Sequence, residues 1–589
     1  VGDHSLRFGG DARVMFNNQS SPNPTFSLST SAAFTRADPN VATASSGDGL
    51  ASFLLGYPSA VSSVYNNFPA QGQRYFGVFF QDDWRVTRKL TLNLGLRWEY
   101  EAPITDRFDR QVIGFDPSTQ TALAPAGPMV KGGLLFADSG NRFAYKRDWN
   151  NFGPRAGFAY QISSQFVVRG GWAIAYDPTA DFGPTTGYSI TTSPSISVAD
   201  AGIIPLTTPN CSGAACGMLS NPFPTGILQP MGKSKGLLTN AGSSISYLWP
   251  ERAVPYSQTF SAGIQYQLPF RSVLQVSYNG RRAANMPTSR NINTVTYEQY
   301  LTNGANLTAV QVNNPYAGLL PGTSLNGAKM TLQQSLLPYT QFTGITESVR
   351  NIGTVRYDSM QIQLEKRVSS GLTVLFTATM QKGTSHTSYL NSGLDAVGQF
   401  IARDSGAEPY LINLNSTYAL PFFNKQSGLK KTLLGGWNIA GFGQWRAGTI
   451  LDTSGAWSTG LDPGIPNPTL QHRFNTCTFN YNNNTRQNCS SPTEAVAWLI
   501  QKPFTLQTVP NPQWGSNRVW VPLSVDLSLW KTFRMEHLSF DLRADASNAF
   551  NTPRFGNPNM TATSSLFGVT TLTQANMPRS IQLGLRLSF

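Results

Sequence analysis

The sequence predicts an all-β fold, specifically a transmembrane antiparallel β-barrel, and three observations carry the prediction. Strand-length segments alternate apolar and polar residues at period two, and their connections alternate between short and long. No run of eighteen apolar residues occurs anywhere in the 589-residue chain. Period-two alternation places every apolar side chain on one face of a strand and every polar or small one on the other. The missing apolar run excludes membrane-spanning helices. A barrel escapes that test, because its lipid-facing residues are diluted one-to-one by lumen-facing polar ones, in keeping with a mean hydropathy of −0.22. With 40% hydrophobic, 12% aromatic and only 13% charged residues, the chain is also too apolar for intrinsic disorder.

The first strand spans residues 4–16, with Leu6, Phe8, Ala12, Val14 and Phe16 opposed to Ser5, Arg7, Asp11 and Arg13. A polar break leads to a second strand near residues 25–34. Residues 35–71 are irregular, and 47–60 within them read as a short amphipathic helix or a loop cluster. The clearest hairpin joins 74–86 to 90–100 around Thr87, Arg88 and Lys89. In its second arm Leu90, Leu92, Leu94, Leu96, Trp98 and Tyr100 face one way, and Thr91, Asn93, Gly95, Arg97 and Glu99 the other. After a long connection, 152–162 and 166–176 form a hairpin whose Phe166, Val168, Trp172, Ile174 and Tyr176 share a face. Further hairpins pair 256–268 with 272–280, 355–368 with 372–380, and 523–533 with 538–546. Residues 408–420 pair with 435–447 across a basic turn at 424–431. The final strand, 578–589, sets Ile581, Leu583, Leu585, Leu587 and Phe589 against Ser580, Gln582, Gly584, Arg586 and Ser588 without a miss.

Short and long connections thus alternate at every hairpin. Sandwiches and propellers mix their loop lengths, whereas outer-membrane barrels have short periplasmic turns and long extracellular loops. The count of about fifteen strands is odd, while single-chain bacterial barrels have even counts. On that reading the first strand descends from an outer loop, and an odd number of strands precedes Val1. The chain would then be a fragment, and it opens without an initiator Met or a signal-like segment. Phe589 would lie at the periplasmic rim.

Composition excludes several function classes. The net charge is +13, but Lys and Arg are scattered singly and no nucleic-acid-binding motif is present, so nucleic acid is not an expected partner. An anionic lipid or lipopolysaccharide surface suits this charge better. His4, His386, His472 and His537 are isolated, with no second ligand at metal spacing. No G-x-S-x-G elbow, P-loop or zincin helix occurs, so neither enzymatic activity nor a cofactor is expected. The glycines of 435–444 read as strand glycines rather than a phosphate loop. Asp82 and Asp83 fall on opposite faces of their strand, which favours structural roles over acid–base chemistry. Four cysteines form two close pairs, Cys211/Cys216 and Cys477/Cys489, in Pro/Asn/Gly-rich stretches. Local disulfides in exported loops suit them better than metal sites.

In the barrel register Arg97, Arg169, Asp526, Asp541, Arg543, Asp545 and Arg586 fall on polar faces. They are expected to line the lumen as ion pairs, since a lumen face tolerates charge at little cost. Trp98, Tyr100, Trp172, Tyr176, Trp437 and Trp445 belong to apolar rows near strand ends, where amphipathic rings form a girdle at a lipid–water interface. Carbohydrate stacking is the alternative for these rings. Ligand contacts are expected instead from the long insertions, which carry Tyr188, Tyr247, Trp249, Tyr297, Tyr300, Tyr316, Trp457, Tyr481 and Trp498.

RYFGVFFQDDWRVTRKLTLNLGLRWEYEAP (74–103), NFGPRAGFAY (151–160) and the ending SNAFNTPRFGNPN…PRSIQLGLRLSF resemble the barrel of TonB-dependent outer-membrane receptors. Within that family they resemble the large Oar-like receptors, which carry a carboxypeptidase-regulatory-like amino-terminal domain. The order and spacing of these stretches say more than any one motif. The resemblance implies a barrel of about 22 strands in a Gram-negative outer membrane. Residues 1–589 would then be a partial barrel domain without plug, TonB box and first strands. It further implies capture of a ligand by the outer loops and uptake driven by the TonB complex, reached through the missing amino-terminal part. Leu585, Leu587 and Phe589 resemble the aromatic end read by the outer-membrane barrel assembly machinery. A structural or adhesive surface barrel, or a passive porin-like channel, is the alternative. Siderophores, oligosaccharides, peptides and exported proteins all fit as ligands.

Overall fold

Long strands form one antiparallel wall in which neighbours in space are neighbours in sequence. The computed structural model describes residues 2–37, 46–177, 183–193, 219, 222–223, 226–321, 323–369, 371–391, 394, 400–404, 408–510, 518–519, 521–535 and 538–589. Among these, fourteen strands make the wall: β1 (His4–Asn18), β2 (Ala70–Arg85), β3 (Leu90–Glu101), β4 (Asn151–Gln161), β5 (Phe166–Tyr176), β6 (Tyr256–Leu268), β7 (Ser272–Asn291), β8 (Gly344–Ser369), β9 (Leu372–Tyr389), β10 (Tyr410–Ala419), β11 (Asn438–Arg446), β12 (Ser524–Met535), β13 (Leu538–Ser547) and β14 (Ser580–Ser588). Each pairs antiparallel with the next. Among the described residues β1 pairs only with β2, and β14 only with β13.

The register joins residues of like character into rows. Tyr160, Val168, Ile264, Val276, Ile362, Ala378, Ile412 and Trp445 are successive cross-strand partners from β4 to β11. The opposite face carries the row Asn93, Gly157, Gly171, Ser261, Asn279, Ser359 and Gln381. The apolar face is left uncovered, with Phe8, Leu583 and Leu585 at 80%, 76% and 71% exposed. Water penalises an apolar surface of this extent, whereas hydrocarbon accepts it. From Phe166 to Tyr176 the apolar face of β5 runs ten steps, about 33 Å along the strand. At a tilt of about 40° that covers roughly 25 Å of depth, the height of a barrel's apolar band. No helix among the described residues is long and apolar enough to cross a membrane.

The fold corrects four expectations. Residues 25–34 do not add a fifteenth wall strand. The strand there is Thr25–Ser29, which pairs with Ala60–Tyr65 in a three-stranded sheet completed by Ile190–Thr192. Five residues reach only about 17 Å, too short to span, although TFSLS alternates as a spanning strand does. The wall strands among the described residues therefore number an even fourteen, not an odd fifteen. The direction of β1 changes as well: His4 lies opposite Trp84 beside a short turn, and Asn18 opposite Ala70 beside a long connection. Finally, the basic turn between β10 and β11 is not short, because it holds the helix Gly428–Leu434. Residues 47–60 contain the helix Gly49–Leu54, capped by the Asp48 carboxylate on the Leu50 and Ala51 amides. β7 and β8 run well beyond the predicted 272–280 and 355–368.

Among the described residues the buried apolar clusters sit in the long connections and at the start of β8, around Val112, Leu134, Phe342 and Ile345 and around Phe474, Trp498 and Phe567, rather than within the spanning wall. Placing a charge in mid-belt therefore separates the two faces. Ile362→Arg should destabilise the intact protein in lipid vesicles by about 2–4 kcal/mol, and its polar-face neighbour change Gln363→Arg by less than about 1 kcal/mol. Equilibrium unfolding in urea reads both.

Candidate functional site

The long connections of the first half of the chain fold into one assembly at the long-loop end of the wall. The hairpin Val112–Ala122/Met129–Phe136 packs Val112 and Leu134 against Ile245 and Tyr247 of the strand Ser244–Leu248. That strand lies parallel to the first residues of β8. The Tyr247 hydroxyl donates to Glu347 Oε1 at 3.0 Å, and Arg290 Nε donates to Glu347 Oε2 at 2.8 Å. Burial, and next the Glu347 carboxylate, push the Tyr247 phenol well above its ordinary range.

A second clamp is fully buried. Arg252 Nη2 lies 3.2 Å from Glu101 Oε1, and each side chain is 2% exposed. The Gln73 amide donates to the same carboxylate, and the Arg252 guanidinium stacks 4.5 Å above the Tyr145 ring. β2, β3 and two long connections are thereby tied together where the polar face of the wall ends. Removing one partner of a buried ion pair costs far more than removing both. Arg252→Met should loosen this assembly by about 3–5 kcal/mol, and Arg252→Met/Glu101→Leu by less, read by hydrogen exchange over 102–150 and 244–255.

These connections enclose a cavity of about 660 Å³, lined by Leu123, Leu228, Met231, Leu320, Asn240 and Lys235 among others. Its volume and its mixture of apolar walls with a few polar groups suit a small-molecule ligand. A second cavity of about 550 Å³ lies along the polar face of the wall, beside Gln81, Asn93, Arg155, Asn279, Arg281 and Tyr357. Neither was predicted, because their linings come from segments far apart in sequence.

The charges expected in the lumen do share the polar face. Arg97 Nη2 binds Asp11 and the Tyr75 hydroxyl, each at 2.8 Å, and its Nε meets Glu99. Arg543 Nε bonds to Asp545 at 2.8 Å. Arg169 donates to Gln275 at 3.2 Å, and Asp526 accepts the Asn548 amide at 2.8 Å. Asp541 accepts from the Thr532 hydroxyl and stands opposite Arg586. Asp83 accepts from Asn93 on this face at 2.6 Å, while Asp82, on the apolar face, contacts His4 Nδ1 at 2.7 Å.

The aromatic residues cluster with others of their kind. Tyr100 stacks on Trp149 at 3.7 Å, and Trp98 Nε1 donates to the Trp149 carbonyl at 2.8 Å. Tyr176 meets Tyr256, Trp445 meets Tyr410, and Trp172 lies opposite Phe260. Trp437 stands at the short-turn end, its Nε1 donating to the Leu433 carbonyl. Leu585 and Leu587 pair with Leu542 and Phe540, and Phe589 is 99% exposed. Of the aromatics carried by the long insertions, Tyr247, Tyr316 and Trp498 are core residues.

Cys477 and Cys489 form a disulfide across the base of the hairpin Thr478–Asn480/Thr485–Gln487. Their sulfurs lie near Glu494, but as a disulfide they are not thiolate metal ligands. Cys211 and Cys216 fall outside the described residues.

A family model described as "Outer membrane beta barrel domain" matches residues 1–582. Among solved structures the chain is similar to the outer membrane transporter YddB from Escherichia coli, at 12% identity over 100% of this chain and 52% of that one, with a TM-score of 0.44. It is similar to the ferripyoverdine receptor of Pseudomonas aeruginosa at 10% identity over 99% and 46%, with a TM-score of 0.37. The FrpB iron transporter from Neisseria meningitidis gives 9% identity over 100% and 53%, and a TM-score of 0.37. The chain thus spans about half the length of each of these structures. No curated protein matches it. The wall, its uncovered apolar face and the match over nearly the whole chain lead to one conclusion: this chain belongs to the outer membrane β-barrel domain family and resides in the bacterial outer membrane.

Proposed function

We propose that this chain forms the wall and outer loops of a TonB-dependent receptor, of the Oar-like subgroup that its sequence resembles, which takes up a ligand captured outside the cell. The observation that carries the reading is the 660 Å³ cavity built by three long connections, together with the polar-face cavity of the wall. A capture site on the loops and a polar passage within the barrel are what such a receptor needs. In this reading the long connections are extracellular, and the short turns and Phe589 are periplasmic. The rings of Trp98, Tyr100, Trp172, Tyr176, Trp437 and Trp445 mark the membrane surfaces, and the polar-face charges line the lumen. Leu585, Leu587 and Phe589 are offered to the barrel assembly machinery.

The far edges of β1 and β14, unpaired among the described residues, would take roughly eight further strands of a 22-stranded barrel. Those strands, the plug and the TonB box would be supplied from outside residues 1–589.

The test uses the intact protein. Purified receptor is incubated with spent culture medium, and retained compounds are identified by mass spectrometry. Met231→Trp fills the cavity from its rim and should lower retention of the captured compound at least about tenfold, as befits lost pocket volume. Disabling TonB should abolish uptake of that compound by cells while leaving its binding unchanged. Retention indifferent to Met231→Trp would remove the loop cavity from the mechanism, and uptake without TonB would favour a passive channel.

A further inference from the structure

On the apolar face, charge is confined to the ends of the wall, and at the long-loop end it gathers on three adjacent strands. Arg282 of β7 lies opposite Arg356 of β8, and Asp358 of β8 lies opposite Lys382 of β9. All four share the face of Ile264, Val276, Ile362 and Ala378 by strand parity. Asp358 binds Arg282 at 2.7 Å and Arg356 at 2.9 Å, and it accepts the Tyr278 hydroxyl. Arg282 also stacks 5.1 Å over the Phe260 ring. The cluster therefore begins at the level of the outer aromatics. The β7–β8 ladder is regular up to Ala283–Val355 and shifts register immediately beyond, so the cluster caps the regular spanning segment.

Arg282 and Arg356 bind the Asp358 carboxylate and Lys382 stands opposite it on the next strand, and two of the three cations stay open to the surroundings: the Arg356 side chain is 65% exposed, and Lys382 is exposed. Surplus positive charge just outside an apolar belt meets the headgroup layer, where each cation contributes measurably to holding an anionic lipid. We propose that Arg282, Arg356 and Lys382 form a site on the outside of the barrel for the phosphate of an anionic glycolipid headgroup in the outer leaflet. Asp358 ties the strands without cancelling the surplus charge, the aromatic rings of Phe260 and Tyr278 lie beneath the guanidinium groups, and the acyl chains run down the apolar rows. This site is independent of whichever ligand the loops capture.

The intact protein, delipidated in non-ionic detergent, is titrated with bisphosphorylated lipid A, with dephosphorylated lipid A and with inorganic phosphate, and bound lipid is read by native mass spectrometry. Arg356→Ala/Lys382→Ala should weaken binding of the bisphosphorylated lipid at least about tenfold. The dephosphorylated lipid should bind variant and native protein alike, which also shows that the variant is folded. Asp358→Asn removes the strand ties but keeps the cations, so it should bind the lipid at least as tightly as the native protein. Unchanged affinity in the double variant overturns the proposal. So does full competition by inorganic phosphate, which would make this a site for the free ion. Equal losses in Asp358→Asn and the double variant would assign the cluster to strand tying alone.

Discussion

Hydrocarbon offers no partner for a backbone N–H or C=O, so every peptide group that crosses it must be satisfied by the chain itself. The antiparallel ladder from β1 to β14 meets that demand, and the rest of the structure follows. Ladder pairing imposes period two, and period two lets one strand show lipid a row such as Leu90, Leu92, Leu94 and Leu96 while its other face stays polar. The wall then needs no interior. Apolar burial is deferred to the bilayer, and the protein's own cores appear only where its long connections leave the membrane.

That division explains how charge is distributed. The polar face holds ion pairs and hydrogen bonds to uncharged partners side by side, from Arg97 with Asp11 to Arg169 with Gln275. On the apolar face charge returns only at the ends: His4, Asp82, Lys366 and Lys531 toward the short turns, and Arg74, Arg282, Arg356, Asp358 and Lys382 toward the long connections. Lys531 shows how such a charge is tolerated, its ammonium lying over the Trp437 and Phe533 rings while it donates to the Thr432 carbonyl. Beyond the belt, buried pairs such as Arg252–Glu101 take over the task of fixing the loops to the wall.

Much of the wall was legible in the sequence, because period two and tight turns are local signals. Thr87–Lys89 and Ser163–Gln165 announce their hairpins by themselves. What failed was information that is not local. TFSLS alternates as well as any spanning strand, and only its length and its partner, Ala60–Tyr65, reveal that it belongs to a small outer sheet. The upper halves of β7 and β8 were missed because residues 284–291 carry no alternation and their ladder is bulged. Tyr247 and Trp498 look like exposed contact residues in a polar loop, but each is buried in a core, Tyr247 with Val112, Leu134 and Phe342 from other connections and Trp498 with Phe474 of its own connection and Phe567 of the next. The loop cavity needs Leu123, Met231 and Leu320 from three such connections. The cationic cluster needs Arg282 and Lys382 brought together by register, which no spacing in the sequence announces.

The central claim is that one face of this wall meets lipid and the other meets water, residue by residue. Single cysteines carrying an environment-sensitive fluorophore, placed in turn from 260 to 266 along β6 of the intact protein in bilayers, test it most directly. Membrane-embedded nitroxide lipids should quench the probe at 260, 262, 264 and 266, and a water-soluble quencher should reach it at 261, 263 and 265. Quenching by the aqueous agent at every position, or no alternation at all, would contradict the account.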